Sequence, residues 1–157
     1  MGHKYDWASI PSYIPKVMKA FPLTIEILLL SLFFSLIIGA LVAVGALSKN
    51  KVARAVTKGW ISFMRGIPTL VLIFLLYLGL PQLMNALGVN MSGISKTTYI
   101  VACLALSTSA NMAEMMRAAY LSVNKGQREA AYSVGMKPFT AFRRIVFPQA
   151  LGGAIPS

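Results

Sequence analysis

The sequence predicts an all-α, polytopic membrane protein, and its composition, its long apolar segments and its uneven charge all favour this class. Apolar residues make up 57% of the 157 residues and charged residues 12%, against about 45–50% and about 25% in soluble domains. A helix of about 20 apolar residues crosses a bilayer core about 30 Å thick. Three segments fit that length, so we expect a helical bundle with three full spans.

The first 22 residues are predicted to form an external amphipathic segment. Three prolines interrupt it, and residues 15–21 have the spacing of a short helix that rests on the lipid surface. The first span follows at residues 23–47, with Glu26 about one turn from its outer end. A stripe of small residues runs along this span: Ser31, Ser35, Gly39, Ala43 and Ala46. Such a stripe permits close approach of another helix, either from a second subunit or from the protein's own bundle.

The second span is predicted at residues 60–80, and it begins with a polar turn. Arg65 lies in that turn, where it either reaches the cytoplasmic headgroups or faces a translocation path. Gly66 and Pro68 predict that the helix bends or starts afresh there. The following segment, residues 81–95, carries no charge and is expected to be an external loop.

The third span is predicted at residues 97–113, and a polar, basic segment follows at residues 114–147. Glu114 and Arg117 are three residues apart and therefore share one helical face. Further along, the pattern predicts two short helices joined at Gly135. The second carries an apolar side (Phe139, Phe142, Ile145 and Val146) and a basic side (Arg143 and Arg144). An exposed apolar ridge of this kind suggests a groove on a partner protein.

The net charge of +11 is distributed in a way that favours a membrane topology over nucleic-acid binding. Four basic residues and no acid separate the first two spans: Lys49, Lys51, Arg54 and Lys58. Because Lys and Arg concentrate in cytoplasmic loops, both basic segments are expected inside the cell and the N-terminus outside. Cys103 and His3 are each the only residue of their type, so no metal site and no intrachain disulfide is expected.

The cytoplasmic segment resembles the EAA loop of the permease subunits of bacterial ATP-binding cassette importers. The matching positions are Glu129, Ala130, Ala131, Gly135, Ile145 and Pro148, with Phe147 in place of the usual leucine. Residues 63–71, 77–81 and 113–127 are similar to stretches of the polar amino-acid uptake family of histidine, glutamine and arginine type. Four positions depart from that family's common residues: Ile67, Asn111, Ala118 and Asn124. None of them belongs to the key positions of the loop.

The resemblance implies a multi-pass subunit of the bacterial plasma membrane whose cytoplasmic loop transmits the movement of an ATPase. The expected coupling residues are Gly126, Glu129, Ala130, Ala131, Gly135, Ile145 and Pro148. Glu129 would cap the start of the loop helix or bond a partner group, and Pro148 would redirect the chain into a fourth span beginning at residues 148–157. Because such permeases continue with two more spans, the chain resembles a C-terminally truncated copy.

The implied partners are cytoplasmic ATP-binding cassette ATPase subunits, an external substrate-binding protein, a second permease subunit and membrane lipid. No cofactor and no catalytic residue are expected, since ATP hydrolysis would occur in the ATPase. The polar residues available to line a path for a polar amino acid are Glu26, Arg65, Asn111 and Glu114. Two alternatives remain: a secondary transporter, and a non-transporting membrane subunit that only docks a cytoplasmic partner.

Overall fold

A computed structural model describes residues 10–154, and every regular element within this range is helical. In chain order the elements are α1 (Ile10–Leu47), α2 (Lys51–Gly66), α3 (Thr69–Phe74), a first π-helical turn (Leu75–Gly79), α4 (Leu80–Ala86), α5 (Lys96–Ser122), α6 (Lys125–Ser133), α7 (Pro138–Ala141), a second π-helical turn (Phe142–Val146) and α8 (Phe147–Ala154). The predicted all-α class is therefore confirmed. Parts of the predicted external segment and of the predicted fourth span, residues 1–9 and 155–157, lie outside this range.

Helix α1 is continuous through the predicted boundary at residue 22. Its 38 residues correspond to about 57 Å, since each helical residue rises about 1.5 Å, and this exceeds the bilayer core. The prediction of a separate amphipathic helix at residues 15–21 is therefore wrong, because those residues form early turns of α1. Pro15 and Pro22 lie inside the helix. Proline removes one backbone donor but holds φ at a helical value, so the helix continues across both positions.

The small-residue stripe of α1 packs against α5. Ser35, Gly39 and Ala43 are buried, and α1 and α5 form the largest contact between helices in the described structure. A Cβ atom added at Gly39 would lie 2.8 Å from the Met112 Cβ and 3.1 Å from the Ser109 carbonyl oxygen. Small residues let two membrane helices approach this closely. The protein's own bundle thus occupies the stripe, and the alternative of a second subunit at this position is wrong.

Replacing Gly39 with Ala is expected to destabilise the bundle, because the added methyl group meets α5 at 2.8 Å. Overpacking of this kind costs about 1–3 kcal/mol, which offsets the gain of about 1 kcal/mol from replacing a helical glycine by alanine. Gly59→Ala in α2 is the matched control, since nothing lies within 4 Å of its added Cβ. Thermal unfolding in detergent should show a lower Tm for Gly39→Ala alone. An equal rise in Tm for both variants would contradict the close contact.

Helix α2 occupies much of the segment that the sequence predicts to be a basic loop. The Asn50 side chain caps it by accepting hydrogen bonds from the backbone of Val52 and Ala53. Ile61 and Met64 are buried, whereas the basic side chains stay exposed: Lys51, Arg54, Lys58 and Arg65. The predicted basic connection between the first two spans is therefore short, because residues 51–59 are helical and continue into residues 60–66, which were predicted to begin the second span.

The predicted break at Gly66 and Pro68 is confirmed. Helix α2 ends at Gly66, Ile67 is extended with φ −93° and ψ 126°, and α3 begins at Thr69. Ile61 belongs to a buried cluster with Ala43 and Ala113, whereas Leu72 packs with Cys103, nearer the start of α5. The chain from α2 into α3 thus runs antiparallel to α5, and the predicted second span consists of two helices that meet at this break.

Both π-helical turns precede a proline. The backbone N–H of Leu80 donates to the Leu75 carbonyl, and that of Phe147 donates to the Phe142 carbonyl; Pro81 and Pro148 are the next residues. A wide π turn relieves the contact between a proline ring and the carbonyl four residues earlier. The chain is consequently helical from Pro138 to Ala154, with Pro148 inside the helix, and its role in directing the chain into a fourth span stays a prediction. The expected loop at residues 81–95 is shorter, because α4 continues to Ala86.

Two helical stretches in the described residues are long and apolar enough to cross a membrane: Tyr13–Leu47 and Thr69–Ala86. Helix α5 has 27 residues but carries a polar run around Ser107 and Asn111. It packs along α1, with Gly39 against Met112 and with Val101 beside Glu26. Helices α1 and α5 are therefore parallel. Three full spans remain a prediction, whereas the bundle itself is established.

Candidate functional site

The segment after α5 turns at Gly135, as the sequence predicts. The short helix α6 precedes the turn, but the helical run after it, from Pro138 to Ala154, is longer than predicted. Helix α6 begins after Asn124, whose side chain accepts a hydrogen bond of 2.8 Å from the backbone of Gly126. At its other end the N–H of Met136 donates to the Ala131 carbonyl at 3.1 Å and that of Gly135 to the Tyr132 carbonyl at 2.9 Å. This pair of bonds is a Schellman motif. It requires the left-handed conformation of Gly135, whose φ is +79°, and glycine adopts this conformation without steric cost.

Glu129 does not cap α6, so that half of its predicted role is wrong. Asn124 holds the cap position, and Glu129 is the fifth residue of the helix, beyond the first turn. Its carboxylate is exposed and makes no hydrogen bond or ion pair with another described side chain. The Glu129 carboxylate is therefore accessible to solvent or to a partner protein.

The two alanines of the motif point in different directions. Ala130 is exposed, whereas Ala131 is 2% exposed and is buried together with Ala141 and Val146, in a segment where α6 contacts both α7 and the second π turn. Ala131 thus allows the two limbs of the segment to approach each other. Among the other expected coupling residues, Gly126 and Pro148 are exposed and Ile145 is half-buried.

An apolar surface surrounds the Gly135 turn, and we name Tyr132, Val134 and Phe139 the docking tip. Val134 is 72% exposed, Phe139 73% and Tyr132 48%. The predicted apolar ridge does not form as one surface. Val146 is buried, and the Phe142 ring packs against those of Tyr120 and Phe147. The basic side chains near the tip are exposed: Lys137, Arg143 and Arg144.

Polar residues of α5 share one face, and three of the four expected path residues lie along it or beside it. Arg117 donates to both carboxylate oxygens of Glu114, at 3.1 Å from Nε and 2.5 Å from Nη2. Arg65 lies in the last turn of α2, a helix that packs against α5. Asn111 lies one turn earlier and is exposed. One turn beyond Asn111, the Ser107 hydroxyl is 3.4 Å from that of Thr69 in α3.

Glu26 lies apart from this polar face. It lines an open cleft of about 380 Å³ at the other end of the bundle, between α1 and the start of α5. The polar residues beside it are Ser95, Thr97 and Thr98. Of the four expected path residues, Glu26 thus lies toward one end of the bundle and Arg65, Asn111 and Glu114 toward the other. The sequence analysis missed Ser107 and Thr69, although the spacing of Ser107, Asn111 and Glu114 at four and three residues indicates a shared face.

Comparison with known proteins places this arrangement in one family. Residues 35–157 match the family described as binding-protein-dependent transport system inner membrane component. The probable amino-acid permease protein YxeN of Bacillus subtilis (strain 168) is 41% identical over 152 residues, which cover 97% of this chain and 66% of the relative. The L-cystine transport system permease protein TcyL of the same strain is 39% identical over 157 residues, covering 100% of this chain and 66% of the relative.

A solved structure supports the same grouping. It is described as the crystal structure of an amino acid ABC transporter with histidines, and it superposes with a TM-score of 0.77 at 32% sequence identity. The match covers 94% of this chain and 66% of that chain. The chain thus spans about two thirds of the length of the proteins it resembles.

Proposed function

This chain belongs to the family of the binding-protein-dependent transport system inner membrane components, and from that premise we propose that it is the permease subunit of an ATP-driven importer of a polar amino acid. The observation that carries the proposal is the segment from α6 to α7. It has the EAA spacing, it turns at a left-handed Gly135, and it exposes the apolar docking tip. Two relatives named as an amino-acid permease and an L-cystine permease support the substrate class.

In this proposal a cytoplasmic ATPase subunit binds the docking tip in a surface groove. Large exposed apolar side chains at a turn are the type of anchor that a partner buries. The exposed carboxylate of Glu129 would contact a polar or basic group of the ATPase beside that groove. Closure of the ATPase pair on ATP would then move α6 and α7 and reorient the helices above them. ATP hydrolysis occurs in the ATPase, and the permease itself performs no chemical step.

The polar face of α5 is the proposed contribution to the translocation path. Ionisable and polar side chains in a membrane helix face the bundle interior or a water-filled cavity. Glu114, Asn111 and Arg65 fit this expectation on the same half of the bundle, while Glu26 would contact water or the external binding protein at the opposite end. A second permease subunit would close the path on the side that this face leaves open.

The proposed orientation places the N-terminus outside and the docking tip in the cytoplasm of a bacterial cell. Two observations support it. The parallel α1 and α5 bring the α1–α2 connection and the start of α6 to one end of the bundle, and basic residues concentrate in both segments: Lys49, Lys51, Arg54, Lys58, Lys125, Arg128 and Lys137. The positive-inside bias assigns that end to the cytoplasm.

Photo-crosslinking tests the docking proposal. A photoreactive amino acid at Phe139 should give an adduct with the ATPase when the assembled transporter is irradiated, because this side chain is 73% exposed at the docking tip. The same amino acid at Phe33, an exposed position of the first span, is the matched control and should react with lipid only. Adducts at Phe33 and none at Phe139 would overturn the assignment of the tip.

A further inference from the structure

Four side chains join the two limbs of the segment around Gly135 to the end of α5. The Arg128 Nη1 in α6 donates a hydrogen bond of 2.6 Å to the Tyr120 hydroxyl, and the Arg128 Cζ lies 4.9 Å from the centroid of the Tyr120 ring. The Tyr120 centroid is 6.4 Å from that of Phe142, and the Phe142 centroid is 5.9 Å from that of Phe147. We name Arg128, Tyr120, Phe142 and Phe147 the aromatic ladder.

The contacts of the ladder are of the strong types. A hydrogen bond from a charged guanidinium is stronger than one between neutral groups, and aromatic pairs attract each other at centroid distances of about 4.5–7 Å. Arg128 and Tyr120 are both half-buried, so water and salt screen the pair less than they screen an exposed one. Glu129, the next residue, is exposed. Helix α6 therefore presents Arg128 to the bundle and Glu129 to the surroundings.

The ladder bridges the non-helical junction between α5 and α6. Helix α5 ends at Ser122, Val123 is extended with φ −68° and ψ 128°, and α6 starts only after Asn124. Val123 is buried, whereas Asn124 is exposed, so rotation at Asn124 would absorb part of a movement of the docking tip before it reached α5. Within the described range, the bond from Arg128 to Tyr120 is the side-chain hydrogen bond that links α6 to α5. The ladder thus acts together with the packing of α8 on α5 in opposing bending at this junction.

An apolar groove lies beside the ladder. It is a half-open space of about 420 Å³ between α1, α5 and α8, and Tyr120, Phe142 and Phe147 form part of its wall. The rings contact one another and Arg128, and α8 also packs directly on α5. Loss of one ring would therefore weaken the packing of the α7–α8 limb on α5 without removing it.

We propose that Arg128 and Tyr120 are positioning residues that make the segment around the docking tip move as one body with the cytoplasmic end of α5. This inference rests on the proposed importer function. In consequence, binding of the ATPase and transmission of its movement depend on different residues. Breaking the ladder leaves the ATPase bound to the tip, but part of the movement of the ATPase is lost at the junction between α5 and α6.

The test compares single variants in proteoliposomes that contain the assembled transporter. Tyr120→Ala and Arg128→Ala should each lower the maximal rate of ATP-driven uptake by about tenfold, because a hydrogen bond to a charged group contributes enough free energy for a rate change of this size. The amount of ATPase that co-purifies, the rate of ATP hydrolysis and the KM for the loaded binding protein should stay unchanged. Tyr120→Phe keeps the ring and Arg128→Lys keeps the charge, so both should restore uptake to an intermediate rate. Lys125→Ala, an exposed basic residue of the same helix, is the control and should transport normally.

A double-mutant cycle distinguishes a shared contact from two independent ones. Because both residues form one link, the combination of Tyr120→Ala and Arg128→Ala should lower uptake by no more than either change alone. Multiplied effects, unaltered uptake, or a parallel loss of bound ATPase would overturn the role of the ladder. If instead the wild-type assembly hydrolyses ATP but imports nothing, the proposed function fails and this inference fails with it.

Discussion

Gly135→Val is expected to abolish ATP-driven uptake while the protein still inserts into the membrane. Gly135 has a φ of +79°, and its N–H and that of Met136 close the Schellman motif at the end of α6. A β-branched residue is a genuine outlier in this conformation, which costs ordinary residues about 1–2 kcal/mol. Valine would therefore unwind the last turn of α6 and displace the docking tip. Uptake into vesicles and the amount of permease in the membrane are the measurements.

Gly135→Asn is the matched control, because asparagine is the other residue commonly found at this helix end. It should keep most of the uptake, although its side chain is larger than that of glycine. Nothing lies within 4 Å of a Cβ added at Gly135, so the backbone conformation alone separates the two variants. Equal uptake by the Val and Asn variants would show that the left-handed turn is not needed for coupling.

Glu129→Lys is expected to abolish uptake by a different route. The Glu129 side chain is exposed, so reversing its charge should change the free energy of unfolding by no more than about 0.5 kcal/mol. The effect should appear in ATPase binding instead. Losing one partner of a charged interface contact costs about 2–5 kcal/mol, which weakens the affinity by about 30-fold or more.

Co-purification of the ATPase with the permease measures this effect directly. Glu129→Gln keeps the size and one acceptor oxygen, so it should retain an intermediate amount of bound ATPase. Thermal unfolding of the isolated permease should give the same Tm for all three proteins. Normal ATPase binding by Glu129→Lys would remove Glu129 from the proposed interface.

The sequence predicts those parts of the fold that depend on local backbone chemistry or on side-chain size. Gly66 is conformationally permissive and Pro68 has no backbone N–H to donate, and α2 ends at Gly66. Gly135 is the residue type that a left-handed helix end requires, and it is found there. The stripe around Gly39 predicts close helix packing, but the spacing by itself does not say which helix approaches. Its assignment to α5 required the three-dimensional structure.

The failures of the sequence analysis also have physical causes. The first part of α2, residues 51–59, was expected in a basic loop because its charged residues dominate the composition, but it belongs to the same helix as the buried Ile61 and Met64. The π turns before Pro81 and Pro148 allow the helix to continue through these prolines. Pro81 was expected to follow the end of the second span, and Pro148 to redirect the chain. In the aromatic ladder, Tyr120 contacts Arg128, 8 residues later, and Phe142, 22 residues later. No local sequence pattern relates residues at these separations. Such pairings depend on the tertiary packing of α6 and α7 against α5.

Uptake of a radiolabelled polar amino acid into proteoliposomes tests the importer function most directly. The vesicles would contain the permease assembled with its ATPase, with the binding protein on the side of the α1 N-terminus and ATP on the side of the docking tip. We expect accumulation that requires both ATP and the binding protein and that persists when ion gradients are dissipated. Accumulation driven by an ion gradient without ATP would contradict this account in favour of a secondary transporter. Absence of uptake with the ATPase still bound would indicate a non-transporting membrane subunit.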